Sequence, residues 1–324
     1  MNNADNVEKL VSLDRTGLHI ISEKVSGKLE KKKISPSMIT GLEGCSARWA
    51  FDTFVAKDII KEEPDNAARR GSLFHKVMEI VFAEDPENRS TALVKKTVGE
   101  VFETEEFADL KDNQDVIQWL RGAINGYYNM GGRPEKVKVA SVAMRGEAPK
   151  KGLEIFVTGQ IGETKRPVLG FIDRVVEDPK ADGYLIVEDW KTGAKAKQWN
   201  PKTKGDEGLA EQRQQIIYSM LLEQEELKVS SARLIYPVAE KIVDVNIRDK
   251  ELRDLVVRGV EDTDKKLDVY VDNNTFEMEP NFLCAWCPLV KICPVARVKM
   301  VGRIKESYLK QPDPEILAAG VDIR

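Results

Sequence analysis

The sequence predicts an α/β protein in which a small sheet is surrounded by helices and preceded by a mainly helical part. Three observations predict this class. Apolar residues recur three and four apart through the first 130 residues, they alternate with their neighbours after Gly131-Gly132-Arg133-Pro134, and helical and strand patterns take turns beyond residue 207. A chain of 324 residues, 42% hydrophobic and 32% charged, can bury one large core or two modest ones.

The elements follow in order. Residues 1–33 are polar, end in Lys31, Lys32 and Lys33, and read as a loosely ordered leader or an added edge strand. Ser35-Pro36-Ser37 starts a helix, because Ser35 can accept an orphan N–H bond and Pro36 suits the first helical position. Segments 36–56, 67–83, 90–103 and 113–130 carry helical spacing, as in Leu73, Val77, Ile80 and Val81, or Val116, Leu120, Ile124 and Tyr127. Residues 136–192 read as a β meander. Within it strands at 168–176 and 184–190 are joined by Asp178-Pro179-Lys180-Ala181-Asp182-Gly183, a connection typical of an antiparallel hairpin. A lysine-bearing loop at 193–207, a helix at about 208–226, strands near 232–238 and 241–247, a helix at about 249–268, a cysteine cluster and a charged tail complete the chain.

Composition excludes several classes. A net charge of −4 removes the strongly basic domain that marks many polyanion binders, so any nucleic-acid surface must be local. Four cysteines are too few for a disulfide-stapled scaffold, and the start MNNADNVEKL has no signal-type apolar stretch. The expected compartment is the reducing cytoplasm. No run of about 20 apolar residues predicts a membrane span. No GxxxxGK[ST] loop is present, so neither a nucleotide cofactor nor an ATP-driven motor is expected.

The second strand of the hairpin ends in Glu188-Asp189-Trp190-Lys191-Thr192-Gly193, and the first contains Gly170-Phe171-Ile172-Asp173-Arg174. Side chains two apart on a strand share a face, so Asp189 and Lys191 point one way while Glu188 and Trp190 point the other. The turn can bring Asp173 beside them. Two carboxylates at one sheet edge can bind a hard divalent cation, Mg²⁺ or Mn²⁺. Lys191 would position or help deprotonate a water and offset phosphate charge, which is hydrolytic phosphodiester chemistry.

The cysteines carry a second signal. Cys284, Cys287 and Cys293 form C-x2-C-x5-C, and the remaining cysteine, Cys45, lies far upstream. Four thiolates suit either tetrahedral Zn²⁺ or a [4Fe–4S] cluster, and spacing alone does not choose between them.

Together, Gly170-x-Ile172-Asp173-Arg174 and Val187-x-Asp189-Trp190-Lys191-Thr192-Gly193 resemble the core of RecB-like PD-(D/E)XK nucleases, with Ile172 where the superfamily name has proline. The resemblance spans residues 34 to 296. Ser35-Pro36-Ser37 followed by Gly44-Cys45-Ser46-Ala47-Arg48-Trp49 is similar to the N-terminal segment of the iron–sulfur branch, which includes the AddB nuclease domain and CRISPR-associated exonucleases of the Cas-four type; Ser46 stands where proline is usual. It implies a restriction-endonuclease-like core, a mixed sheet flanked by helices, with a helical N-terminal region. It also implies a [4Fe–4S] staple held by Cys45, Cys284, Cys287 and Cys293. The metal ligands it implies are His75, from Gly71-x3-His75, with Asp173, Asp189 and the carbonyl of Trp190; Lys191 completes the catalytic group. Gln214 and Tyr218, one helical turn apart, match a Q-x3-Y helix that reaches back to the site and the strand. Glu154 and Glu147 both resemble a frequently acidic position, and neither is assigned.

The resulting division is a leader at 1–33, a helical part at 34–135, a nuclease core at 136–270, the cysteine cluster at 271–296 and a basic tail at 297–324. Residues 191–204 hold five lysines and no acid, so Lys195, Lys197 and Trp199 are candidate DNA contacts, Trp199 by base stacking. The acid-free stretch 284–305 could extend that path. The expected activity is exonucleolytic hydrolysis of single-stranded or end-containing DNA in recombination, repair or end processing, in a phage, CRISPR or repair setting, alone or beside a helicase, recombination or adaptation partner. The rivals are an endonuclease of the same fold and a non-catalytic DNA-binding scaffold with a structural metal.

Overall fold

The computed structural model describes residues 9–56, 66–198, 208–281, 283–284, 287–290, 292–299 and 321–323. In chain order these form strands β1 (Val11–Leu13) and β2 (Leu18–Ile20), then helices α1 (Glu23–Glu30), α2 (Pro36–Gly44), α3 (Ser46–Phe51), α4 (Ala67–Ala83), α5 (Thr91–Phe102) and α6 (Gln114–Asn129). Strands β3 (Ser141–Val142), β4 (Lys150–Lys151), β5 (Leu153–Gly159), β6 (Val168–Glu177) and β7 (Leu185–Trp190) follow, then helix α7 (Leu209–Gln224) and strands β8 (Val229–Tyr236) and β9 (Lys241–Val245). Helix α8 (Lys250–Asn273), strand β10 (Thr275–Phe276), helix α9 (Pro294–Lys299) and strand β11 (Val321–Ile323) end the described chain. The chain divides into two compact units: Met1–Glu62 with Gly162–Arg166 and Gly259–Arg324, and Glu63–Ile161 with Pro167–Arg258.

The second unit is built on a five-stranded sheet of order β5-β6-β7-β8-β9. Every pairing is antiparallel except β7 with β8, which makes the sheet mixed. That one parallel pair requires a crossover, and α7 supplies it. The 178–183 turn that joins β6 to β7 closes with Asp178 N–H donating to the Tyr184 carbonyl at 2.9 Å, and Gly183 takes the left-handed φ of +72° that the reversal needs. Helices α4 to α6 start on the caps the sequence offers: Asn66, Ser90 and Asn113 each accept a backbone N–H of the first turn. Their apolar stripes bury Leu73, Phe74, Val77, Phe82, Val101, Val116, Leu120 and Tyr127 in one cluster with Trp190 and Ile235 of the sheet. Among the described residues no helix is long and apolar enough to cross a membrane.

The first unit contains a four-stranded sheet of order β10-β2-β1-β11, with β1 and β11 parallel. This corrects the reading of residues 1–33 as a loose leader or edge strand: β1 and β2 are interior strands, and Val11, Leu13 and Leu18 are fully buried. Their partners are contributed from the far end of the chain, His19 for example bonding Thr275 across 256 positions, a pairing that local patterning does not reveal. Ser35 caps α2 as expected, accepting from Met38 N–H at 3.2 Å with Pro36 at the first helical position. The expected helix 36–56 breaks at Cys45, whose extended backbone (φ −162°, ψ 111°) separates α2 from α3, and it closes in a π-helical turn at Asp52–Ala56.

Candidate active site and thiol pocket

The β6–β7 hairpin sorts its side chains by alternation. Arg174, Glu188 and Trp190 enter the layer of α4 to α6, where Trp190 meets Phe74 and Tyr127 edge-on at 5.4 and 5.3 Å between ring centroids. Asp189 and Lys191 take the opposite side, facing α7. The Trp190 backbone is also a fixture of the site, because its N–H donates to Asp173 Oδ2 at 2.8 Å and draws that carboxylate beside the end of β7.

Lys191 is held from two directions. Its Nζ lies 2.8 Å from Asp189 Oδ2 and donates to Gln214 Oε1, also at 2.8 Å. The Gln214 amide uses its two N–H donors on Asp189 Oδ1 (3.1 Å) and the Tyr218 hydroxyl (3.0 Å). Gln214 and Tyr218 therefore share one helical face and both reach the site, while Gln212 and Gln215 of the same helix are buried. The Tyr218 ring stands over Gly170, where a Cβ would come within 2.3 Å of it, so glycine is required by close approach. Burial pushes the Lys191 ammonium toward neutrality, but the Asp189 and Asp173 carboxylates outweigh that and raise its pKa, so it is a cation in this setting. Burial, with the neighbouring carboxylates, pushes the Tyr218 phenol up to about 12 despite the Gln214 hydrogen bond, keeping it neutral.

His75 projects from α4 into the same place. Its Nε2 lies 3.1 Å from the Trp190 carbonyl and its Nδ1 3.4 Å from Asp173 Oδ2. Burial opposes its protonation, yet the hydrogen bond and charge of Asp173, helped by Asp189, raise its pKa. With Nε2–H donating to the Trp190 carbonyl, the second proton of the imidazolium sits on Nδ1 toward the Asp173 carboxylate, and its loss frees the Nδ1 lone pair for a metal.

Glu154 is one of the two acidic candidates between which the sequence does not choose. It lies on β5 between Leu153, which pairs with Arg174, and Ile155, which pairs with Ile172, and so stands opposite Asp173. His75, Glu154 and Asp173 each offer one ligand atom within 4.8 Å of the others. Glu154 carries a left-handed φ of +48°, a strained conformation for a non-glycine residue. Partial burial, then the charges of Asp173 and Glu79, push its pKa up to about 7. The other candidate, Glu147, pairs with Lys150 at 2.6 Å on the surface. The discriminating signal is register, which places Glu154 across from Asp173. Asp189 is likewise raised, to about 6, by burial and by Asp173, with Lys191 offsetting only part of the effect. His75, Glu154 and Asp173, with the Asp189–Lys191 pair beside them, form a donor set that fits a hard divalent cation.

Of the candidate DNA contacts, Lys195 and Lys197 are exposed, and Lys197 pairs with Glu211 at 3.1 Å. Trp199 lies outside the described residues, as does Lys291.

In the first unit Cys45, Cys284, Cys287 and Cys293 line one mainly apolar pocket with Met278, Leu289, Val290 and Ala296, which Arg48 and Glu279 also border. The C-terminal segment is tied to the Cys45 turn by Ser46, which donates to the Glu277 carbonyl (2.9 Å), and by Asn281, which donates to the Gly44 carbonyl (2.8 Å). Backbone N–H groups of Asn281 and Ala296 point at the sulfurs of Cys284 and Cys293, at 3.3 and 3.4 Å. Burial pushes the Cys287 thiol up to about 12 and raises Cys293. Apolar lining and N–H···S donors suit a metal centre, whose positive charge would hold these sulfurs as thiolates.

A family model described as the PD-(D/E)XK nuclease superfamily matches residues 33–294. None of the curated proteins matches the chain. A solved structure titled "Crystal structure of SSO0001" is 16% identical over 70% of this chain and 96% of that one, with a TM-score of 0.29, a likeness too slight to bear on function.

Proposed function

Because the chain belongs to the PD-(D/E)XK nuclease superfamily, whose members are nucleases using divalent metals such as Mg²⁺ or Mn²⁺, we propose that it is a metal-dependent DNA exonuclease acting on single-stranded or end-containing DNA. The observation that carries this reading is the grouping of His75, Glu154 and Asp173, with one ligand atom each within 4.8 Å of the others, beside the Asp189–Lys191 pair. His75, Glu154 and Asp173, with the Trp190 carbonyl and Asp189 beside them, are the proposed ligand set. A divalent ion there supplies charge neutralisation at the scissile phosphate and lowers the pKa of water. Lys191, kept cationic, stabilises the charge that develops on the phosphate. Gln214 fixes the Lys191 amine, and Tyr218, as a neutral phenol, is a hydrogen-bond donor toward the strand. In this reading the nuclease core is residues 136–270, completed by His75 from the preceding helical part.

The four thiols are proposed to hold a [4Fe–4S] cluster, supported by the shared pocket and its N–H···S donors. The setting proposed is cytoplasmic recombination, repair or end processing. A helicase, recombination or adaptation partner would suit a sequence without a phosphate-binding loop.

The test is cleavage of end-labelled and closed circular DNA by protein purified without oxygen. Expected are a brown protein with broad visible absorbance, Mn²⁺-dependent release of nucleotides from ends, and loss of that release in Asp189→Ala and Lys191→Ala. Efficient cutting of closed circles would replace the exonuclease reading with an endonuclease. A colourless, inert, zinc-containing protein would replace both with a binding scaffold.

A further inference from the structure

The β5–β6 hairpin pairs Phe156 with Phe171 and Thr158 with Leu169, just beyond the Leu153–Arg174 and Ile155–Ile172 pairs that bracket Glu154 and Asp173. The two phenylalanines are 45% and 54% exposed, and their ring centroids lie 5.2 Å apart. Gly170, the neighbour of Phe171, meets Tyr218 of α7, so the rings turn away from α7, toward the side on which α4 lines an open cleft with Glu154 and Asp173, one two-residue step of about 6.7 Å along the strands. The opposite face of the hairpin already supplies its core through Ile155, Val157 and Ile172, all buried. The rings therefore serve no packing layer of their own, and each stands two residues along its strand from a carboxylate that lines the cleft, Phe156 from Glu154 and Phe171 from Asp173.

Two adjacent aromatic rings open to solvent beside a phosphodiester site have the chemistry of a stacking platform. Bases inside a duplex are stacked on one another and offer no free ring face, whereas an unpaired base can lie against phenylalanine. We propose that Phe156 and Phe171 form a stacking platform for unpaired nucleobases flanking the scissile phosphate, so that a single-stranded end is the substrate form the site holds. The platform rests on the nuclease reading of the cleft and deepens it by naming the strand form.

The test separates ring faces from apolar bulk. Full-length protein carrying Phe156→Leu and Phe171→Leu keeps apolar side chains and loses both π-faces; Phe156→Trp with Phe171→Trp keeps them. Binding of a fluorescent oligothymidine is read by anisotropy with Ca²⁺ in place of Mn²⁺. In parallel, Mn²⁺-dependent hydrolysis of bis(p-nitrophenyl) phosphate by the parental chain reports on the cleft alone. The expected result is binding weakened roughly tenfold or more in the leucine variant, the scale of one lost base–aromatic stack, and retained in the tryptophan variant. If the parental chain hydrolyses the small ester and the leucine variant binds oligothymidine as tightly as the parent, the platform is overturned and the nuclease reading stands. Weakened binding in both variants also overturns it, since ring faces would not be the determinant. A parental chain that hydrolyses neither the ester nor DNA overturns the nuclease reading and the platform with it. Should the leucine variant halve the mass in sedimentation, the face joins two copies of the chain and the platform is wrong.

Discussion

The two sides of the β6–β7 hairpin hold the same kinds of residue in opposite states of completion. On one side Arg174 and Glu188 are both buried, with Nε and Nη2 of the arginine 2.8 and 2.7 Å from one carboxylate oxygen. Arg233 lies 3.5 Å from the other oxygen, and the Arg174 guanidinium sits 3.9 Å from the Phe82 ring centroid and 4.5 Å from that of Trp190. One carboxylate is met by two guanidinium groups, and one of these, Arg174, lies against two aromatic faces. One position along each strand, Asp173 and Asp189 act on one ammonium, Lys191, while Glu154 stands across from Asp173. The first arrangement is balanced in charge, and the Arg174 Nη1, which has no hydrogen-bond acceptor among the described residues, belongs to a guanidinium packed on aromatic rings. The second has an excess of negative charge that folding alone does not neutralise, and the raised pKa values of Asp189 and Glu154 record it. Neighbouring residues in one strand can thus be structural or chemical according to how their charge is balanced.

The comparison breaks first at the chemical side. Asp173→Ala or Asp189→Ala should lower Mn²⁺-dependent cleavage by at least a thousandfold, about 4 kcal/mol of transition-state stabilisation, without loss of helical circular dichroism. Retained cleavage would make this side structural too. Glu188→Ala should do the reverse: it leaves Arg174 buried and uncompensated, destabilising the fold by about 3–5 kcal/mol in urea titrations. A stability change below about 1 kcal/mol would show that the pair is not the anchor of this layer. Glu154→Gln should weaken Mn²⁺ binding about tenfold to a hundredfold by calorimetry while leaving the metal-free protein at least as stable, because it removes a like charge facing Asp173.

The smallest effect concerns pH. Both carboxyls have folded pKa values above the unfolded range near 4, so the stability they contribute is present below that range and is lost as pH rises through about 6 to 7. The metal-free Tm should fall across that window, and Mn²⁺ should restore it with growing effect as pH rises, since only ionised carboxylates bind the ion. A Mn²⁺ stabilisation that does not change between pH 5 and 8 would mean that these groups are not the ligands.

Much of this was legible from spacing. The alternation that separates Asp189 from Trp190 and the four-residue step from Gln214 to Tyr218 are local periodicities, and both side chains of each pair stand where the periodicity puts them. The caps at Ser35 and the hairpin turn at 178–183 are local in the same way. What escaped was non-local. The sequence offered Glu147 and Glu154 as equals, and only the β5–β6 register distinguishes them. The interior strands β1 and β2 escaped for the same reason, since their partners lie at the other end of the chain. Charge balance was also invisible, because whether a carboxylate meets two guanidinium groups or another carboxylate is decided by packing.

Trp190 occupies the position between the two named residues of the Asp-x-Lys pair, where a pattern leaves the identity open. Its amide grips Asp173, its carbonyl meets His75, and its ring is wedged among Phe74, Phe82 and Tyr127. The spacing of the ligand set is therefore gauged by the thickness of an aromatic layer on the far side of the sheet. Drift in that layer, a Phe82→Leu or Tyr127→Leu that leaves every polar group untouched, is transmitted as a change in how far apart Asp173 and His75 stand. Lineages of this chain should then vary these rings together rather than singly, and compensating changes for a damaged site are to be sought in the oily layer behind it.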